Sequence, residues 1–419
     1  MAKEENTVAQ DLFLGRQSIL DRDRNLYGFE LLFRSSSQNN AVFEDGLPAS
    51  AEVFNHVFTE LGVDSVLGPY RGFINIPLSL LGSDLVEIIP NDKITLEIIG
   101  TESLTPDVIE RCIELRRKGY KLALDEFVHG DSSHTAILPF MDMVKVDVTT
   151  LAPAQFELVT QALKLHKIPL IAERVETHEQ AEHCLALGYT YLQGNYFMRP
   201  TVLEGKRLAH SEMAVIRLLG MLLADEDSEK IVDAMKRHPD LSLSLIKLVN
   251  TAAVGAKTRI ESLNHAIIVL GRAALKRWVQ VLLFVVAAAP GVKFPSPLLV
   301  LAAARGRLME LMAGKLLNQD KRSQEKAYLA GMLSLMPALF GLTLAEFLKH
   351  LPVDQEVNEA LCNQSGKLGS LLALTELLDM PNFAYSQFSF QEIGKMEPSA
   401  LLGLQMEAMT WANSLGDGI

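Results

Sequence analysis

Cysteine is scarce in this chain. Its 419 residues hold three, Cys112, Cys184 and Cys362, far apart and with no Cys-x-x-Cys pair. That number and spacing exclude a disulfide framework and a zinc knuckle. Positive charge is short as well: 39 lysines and arginines stand against 51 aspartates and glutamates, a net −12. Such a balance argues against direct nucleic-acid binding through the phosphate backbone. No apolar run reaches the ~20 residues of a membrane helix. The most apolar segment, Val281 to Ala289, is stopped by Pro290-Gly291. The N-terminal Met-Ala-Lys-Glu-Glu-Asn is polar, and no apolar signal region follows it. No short-period repeat is visible. The expectation is a cytoplasmic protein with no membrane segment. A composition that is 48% hydrophobic and 21% charged is globular, and the length suits two or three domains.

What the chain does have is a stretch that orders its first half, Lys121-Leu-Ala-Leu-Asp-Glu-Phe127. A short apolar run bounded by turn residues reads as a buried strand. Here it ends in adjacent carboxylates, Asp125 and Glu126, which are costly to desolvate without a positive partner. A hard divalent cation is one answer, and oxygen-only ligands favour Mg²⁺, Mn²⁺ or Ca²⁺ over zinc. A solvated acidic loop is the plain alternative. Around this stretch, strand and helix patterns alternate. Asp11–Leu20 and Leu26–Arg34 form a hairpin, and later strands are expected at Gly72–Pro77, Lys93–Ile98, Met141–Val148, Pro169–Arg174 and Tyr189–Gly194. Helices are expected at Ser50–Gly62, Thr105–Gly119, Pro153–His166 and His178–Gly188. Such alternation predicts a parallel sheet closed into a (β/α) barrel of TIM type, with chemistry at the strands' C-terminal ends. On or near those ends lie Glu30, Asn75, Glu97, Asp125, Glu126, Lys145, Asp147, Glu173, Glu176 and Gln193. Polar residues recurring at one end of successive apolar strands predict a site.

Seven motifs in order carry a family resemblance over roughly residues 10–200. Gly28-Phe-Glu-Leu-Leu-Phe-Arg34 resembles the name motif of EAL domains, the cyclic-di-GMP phosphodiesterases. Ile74-Asn-Ile-Pro77, Leu96-Glu-Ile98, Leu124-Asp-Glu-Phe127, Val144-Lys-Val-Asp147, Ile171-Ala-Glu-Arg-Val-Glu-Thr177 and Leu192-Gln-Gly194 resemble the later ones. The resemblance implies that Glu30, Asn75, Glu97 and Asp125 ligate a divalent metal, Mg²⁺ or Mn²⁺, with Glu126 standing where a second aspartate bridges two metals. It implies that Lys145 and Glu173 position and activate the attacking water, with Gln193 in support, and that Arg34 holds a substrate phosphate of cyclic-di-GMP.

The chain also departs from that pattern. Glu126 is one methylene longer than the usual aspartate. Val128 and His129 replace a glycine and a threonine, and Asp131 an aromatic residue. Gly100 replaces the glutamate that steadies this loop, Arg174 a glycine beside Glu173, and Ser35 the aromatic after Arg34. Ligands retained with weakened support imply slow or lost turnover. His129 and His134, isolated in an altered loop, are expected to be solvated.

From about Ala209 the period changes to 3.6, and the helical pattern runs to the end, giving an all-α domain after the α/β barrel. The expected domains are 1–204 and 205–419. Leu241-Ser-Leu-Ser-Leu-Ile-Lys-Leu-Val-Asn-Thr-Ala252, Leu263-Asn-His-Ala266, Ile268-Val-Leu-Gly271 and Trp278 resemble HDOD domains, which are similar to metal phosphohydrolases without their metal site. The chain has no His-Asp dipeptide. His265 is therefore expected to pack or cap, Asn250 to cap, and Ala330–Gly341 to be a buried core helix. The resemblance as a whole implies a bacterial signal-transduction protein whose EAL barrel is weakly active or inactive and whose HDOD domain docks a protein partner. A fully functional phosphodiesterase and a non-catalytic cyclic-di-GMP receptor are the alternatives. A homodimer is compatible with each.

Overall fold

Eight strands close into a barrel in sequence order. They are β1 Leu12–Asp21, β2 Leu26–Ser35, β3 Arg71–Ile76, β4 Ile94–Ile99, β5 Lys121–Asp125, β6 Met143–Asp147, β7 Leu170–Glu173 and β8 Tyr191–Gln193. β1 runs antiparallel to both of its neighbours, β2 and β8. The other junctions are parallel. The hairpin arises locally: Asp21 Oδ1 accepts the Asp23 and Asn25 amides at 2.9 and 2.8 Å, and Arg24 takes a left-handed φ of 64°. The structure, a computed structural model, describes residues 12–35, 63–100, 104–127, 130–198, 210–250, 262–287, 295–317, 320–340, 343–349, 351–380, 388–390, 393–394 and 396–416. The helix expected at 50–62 lies outside these residues, as do Val128 and His129.

Strand periodicity sorts the barrel interior into layers. Side chains alternate between faces, so residues two apart on a strand point inward together. One inward layer is an apolar plug of Ile19, Phe73, Ala123, Met143 and Ile171, with Tyr27 and Tyr191 packed against it. Two positions further along β3, β5, β6, β7 and β8 come Asn75, Asp125, Lys145, Glu173 and Gln193. On β2 and β4 the same step from Gly28 and Thr95 reaches Glu30 and Glu97. The apolar layer thus forms the floor of a polar one.

Helices return the chain between parallel strands, each with its own start signal. Pro106–Arg117 and Pro153–Lys164 begin on proline, whose missing N–H costs nothing at that position. His178–Leu187 starts with a Thr177–Gln180 capping box and ends at Gly188 in the left-handed region.

The described residues form two compact units. Beyond the barrel the elements are helical, from His210–Leu223 to Pro398–Asn413, as the change of period predicts. Pro297–Leu316 and Lys321–Leu333 meet where Gly306 and Gly331 face each other. A Cβ on Gly331 would lie 2.7 Å from Gly306 Cα. The stretch expected as one buried helix, Ala330–Gly341, falls on two, the end of Lys321–Leu333 and then Met336–Phe340. Pro337 cannot donate into a continuing helix, so a new helix starts around it. Most of Ala330–Phe340 is buried. Whereas 205–419 was expected as one domain, packing groups Leu374–Thr410 with the barrel strands. There Gln405 Nε2 donates to Leu14 O at 3.3 Å.

Candidate functional site

The polar layer is organised on Lys145, which β6 places at the barrel centre with 0% of its surface exposed. Its Nζ lies 3.0 Å from Glu30 Oε2, 2.9 Å from Glu97 Oε1, 3.5 Å from Asp125 Oδ2 and 2.6 Å from Glu173 Oε1. Four strands, β2, β4, β5 and β7, therefore send one carboxylate each to one ammonium. Asn75 Nδ2 on β3 donates to Glu30 Oε1 at 3.1 Å, and Gln193 Nε2 on β8 donates to Glu30 Oε2. Residues far apart in sequence meet because the strands are adjacent and in register: Asn75 pairs with Glu97, and Asp147 with Glu173.

Charge in this layer does not balance. Burial works against the Lys145 ammonium, but Asp125, Glu173, Glu30 and Glu97 outweigh it and hold the group well above the ordinary lysine range. Burial raises the Glu97 carboxyl well above its usual range. Glu30 and Asp125 add to that shift, and Lys145 offsets only part of it. Glu173 is raised in the same direction by burial and then by Asp125. Four acids with one internal cation leave surplus negative charge. Asn75 Oδ1 and Glu97 Oε2 are buried and accept no hydrogen bond, while Glu97 Oε1 faces the Lys145 ammonium at 2.9 Å. Buried polar atoms in that state call for an explanation such as an ion or water. The acids close on Lys145, and among the described residues no three Asp, Glu, His or Cys side chains stand grouped as metal ligands. In kind and in charge, the oxygen donors Glu30, Asn75, Glu97 and Asp125 nonetheless suit a hard divalent cation.

The remaining expected residues divide. Glu126 follows Asp125 but is exposed, with its backbone in the left-handed region at φ 50°. Its amide donates to Asp125 Oδ1 at 2.7 Å. Arg174, also left-handed at φ 53°, turns its guanidinium to Asp147 Oδ2 at 3.1 Å and is itself largely exposed. Arg34 lies on β2, with its side chain outside what the structure describes. His134 is a correction: expected in solvent, it is 1% exposed, with Nε2 2.7 Å from Gly100 O. The loop glycine made room for a side chain that sequence spacing alone could not place beside it. Gln17 escaped notice altogether. It pairs with Glu30 across the hairpin and accepts from Gln193 Nε2 at 2.8 Å. The signal was available, because Gln17 stands two positions from Ile19 on a strand antiparallel to β2.

In the helical part, His265 is exposed, and its backbone amide donates to Ser262 Oγ at 3.2 Å, so the cap of that helix is Ser262 and not the imidazole. Asn250 ends its helix, with Nδ2 donating to Ile246 O at 2.8 Å. No helix among the described residues is long and apolar enough to cross a membrane.

Comparison with known proteins gives the same two-part division. A family model for the EAL domain matches residues 6–200, and one for the HDOD domain matches residues 213–353. YuxH of Bacillus subtilis is 26% identical over 413 residues, covering 97% of this chain and 99% of YuxH. The cyclic di-GMP phosphodiesterase CdgJ of Vibrio cholerae is 29% identical over 388 residues, covering 91% of this chain and 88% of CdgJ. Among solved structures, an EAL domain protein from Listeria monocytogenes is 23% identical with a TM-score of 0.36, covering 45% of this chain and 87% of that one. The chain belongs to the proteins that join an EAL domain, here residues 6–200, to an HDOD domain, here residues 213–353.

Proposed function

We propose that this protein acts in cyclic-di-GMP signalling through a barrel that binds a divalent cation and the dinucleotide but turns it over slowly or not at all. The HDOD domain, in this reading, engages a protein partner. One observation carries the proposal. Glu30, Asn75, Glu97, Asp125, Lys145, Glu173 and Gln193 share one inward layer, while Glu126 lies exposed beside it. The domain pair, and a relative named as a cyclic di-GMP phosphodiesterase over 88% of its length, support the substrate class.

Glu30, Asn75, Glu97 and Asp125 would hold the cation, Mg²⁺ or Mn²⁺. Bound there, it supplies Lewis acidity toward a phosphodiester oxygen and a more acidic water. The chain's own residues do the rest. Lys145 gathers the carboxylates and offsets negative charge developing on a phosphate. Glu173, in contact with Lys145 and Asp125, is placed to take the proton of the attacking water. Gln193 and Asn75 fix Glu30 from either side. Arg34 would meet a substrate phosphate. The exposed Glu126 gives no second buried carboxylate at the β5 exit, and displacement by roughly 1 Å can cost about 10²-fold in rate.

The retained donors and Lys145–Glu173 pair favour full phosphodiesterase activity as the second reading. Calorimetric titration of cyclic-di-GMP into the full chain, first with Ca²⁺ and then with Mg²⁺ and product analysis, separates the readings. Binding with little or no linear product supports the proposal. Turnover at ordinary enzyme rates, abolished by Glu173→Ala, makes the chain a working phosphodiesterase. Absence of binding with either cation overturns the assignment to the dinucleotide.

A further inference from the structure

We infer that His134 is a positioning residue that ties the exits of β4 and β5 together through Gly100, and so sets the spacing of Glu97 and Asp125. Its imidazole is buried, and Nε2 lies 2.7 Å from Gly100 O. A carbonyl only accepts, so Nε2 carries the proton and donates. Gly100 in turn donates its amide to Asp125 O at 2.9 Å. One residue, three positions past Glu97, is thus held through its N–H by the β5 exit and through its C=O by the imidazole.

The pair is mutually specific. A Cβ on Gly100 would lie 2.7 Å from His134 Cε1, 2.7 Å from Asp125 O and 2.9 Å from Glu126 O. Two of those neighbours are backbone, so any larger residue at 100 must expel the imidazole or part the strands. Phe127 packs against the same imidazole, with ring centroids 5.6 Å apart. The position that resemblance assigns to a loop-steadying glutamate is therefore filled here by a glycine and a histidine from the helix after β5, Ser132–Ile137. Outer partners that orient ligand-bearing backbone commonly govern affinity by 10–100-fold.

The link to cation affinity rests on the metal reading proposed above; the strut itself does not. The test uses full-length His134→Leu, which keeps volume without a donor, and His134→Gln, which restores one. Hydrogen exchange at the Gly100 amide, which donates to Asp125 O, reports whether the β4 and β5 exits stay joined, and Mn²⁺ titration followed by electron paramagnetic resonance reports the ligands. His134→Leu should remain folded, lose about tenfold in amide protection and weaken Mn²⁺ binding by about tenfold, and His134→Gln should recover most of both. Unchanged protection and affinity in His134→Leu, or loss in His134→Gln equal to that in His134→Leu, overturns the inference. If the wild-type chain binds no Mn²⁺ at all, the metal reading fails, and exchange at Gly100 still decides the strut.

Discussion

A single buried ammonium, Lys145, serves four carboxylates, and the shortage of positive charge has a consequence for stability. Glu97 and Glu173 have folded values above their unfolded ones. Above the ordinary carboxylate range of about 4 to 4.5, the folded chain then binds more protons than the unfolded chain. Their stabilising contribution is complete below that range and is lost as pH rises through the raised values. In EDTA, the urea midpoint should therefore be higher in mildly acidic buffer than near neutral pH. Glu97→Gln with Glu173→Gln should remove most of that slope, and Mn²⁺ should flatten it in the wild-type chain. A midpoint independent of pH in EDTA would contradict the assignment. Beside this group, Glu126 is one methylene longer than an aspartate. If its reach limits turnover, Glu126→Asp should raise phosphodiesterase activity about tenfold or more, read as linear product per time at saturating Mg²⁺. No gain in a variant that binds Mn²⁺ would place the limit elsewhere.

At the scale of elements, close approaches decide which substitutions the fold bears. Pro297–Leu316 crosses Lys321–Leu333 with no side chain between Gly306 and Gly331. A Cβ on Gly331 meets Gly306 N at 2.8 Å and Arg305 C at 3.0 Å, both backbone atoms. Gly331→Ala should cost about 1–3 kcal/mol by forcing the helices apart, visible as a lowered midpoint in thermal or urea unfolding. An unchanged midpoint would mean that the crossing relaxes freely. Elements also show what could be read in advance. The strands from β3 to β8 were legible as short, mostly apolar runs between turn residues, and β1 and β2 as the two arms of a hairpin around the polar Asp21–Asn25 connection. The order of site residues was legible because each sits at the end of a strand that is otherwise mostly apolar. The break between Leu333 and Met336 was hidden by continuous apolar content on either side. The burial of His134 was hidden because its acceptor is 34 residues away on another strand.

On the scale of the whole molecule, the chain leaves the barrel unit after Tyr196 and returns to it at Leu374. The returning segment meets β1, where Gln405 donates to Leu14 O and Asp379 faces Arg16. Burial lowers the Arg16 guanidinium to about 10, and Asp379 opposes that shift. The same guanidinium lies 3.9 Å over the Phe29 ring and donates to Val66 O at 2.9 Å. Removing everything after Ala373 should therefore lower the barrel's unfolding midpoint, beyond any loss of the helical part. Unfolding followed through metal-site or near-ultraviolet signals of the barrel, against the full chain, checks this. An unaltered barrel transition would show that the segment is dispensable.

Sequence by itself determined the two-part architecture, the order of the strands and the identity of the inward polar residues apart from Gln17. Those follow from local periodicity and from side-chain chemistry, which each segment carries wherever it goes. Only tertiary structure decided that Lys145 faces four acids at once, that Glu126 stays outside them, that His134 reaches Gly100, and that Leu374–Thr410 belongs with the barrel. Each depends on distances between segments remote in the chain. Period and composition carry no information about such distances until barrel closure and strand register set them.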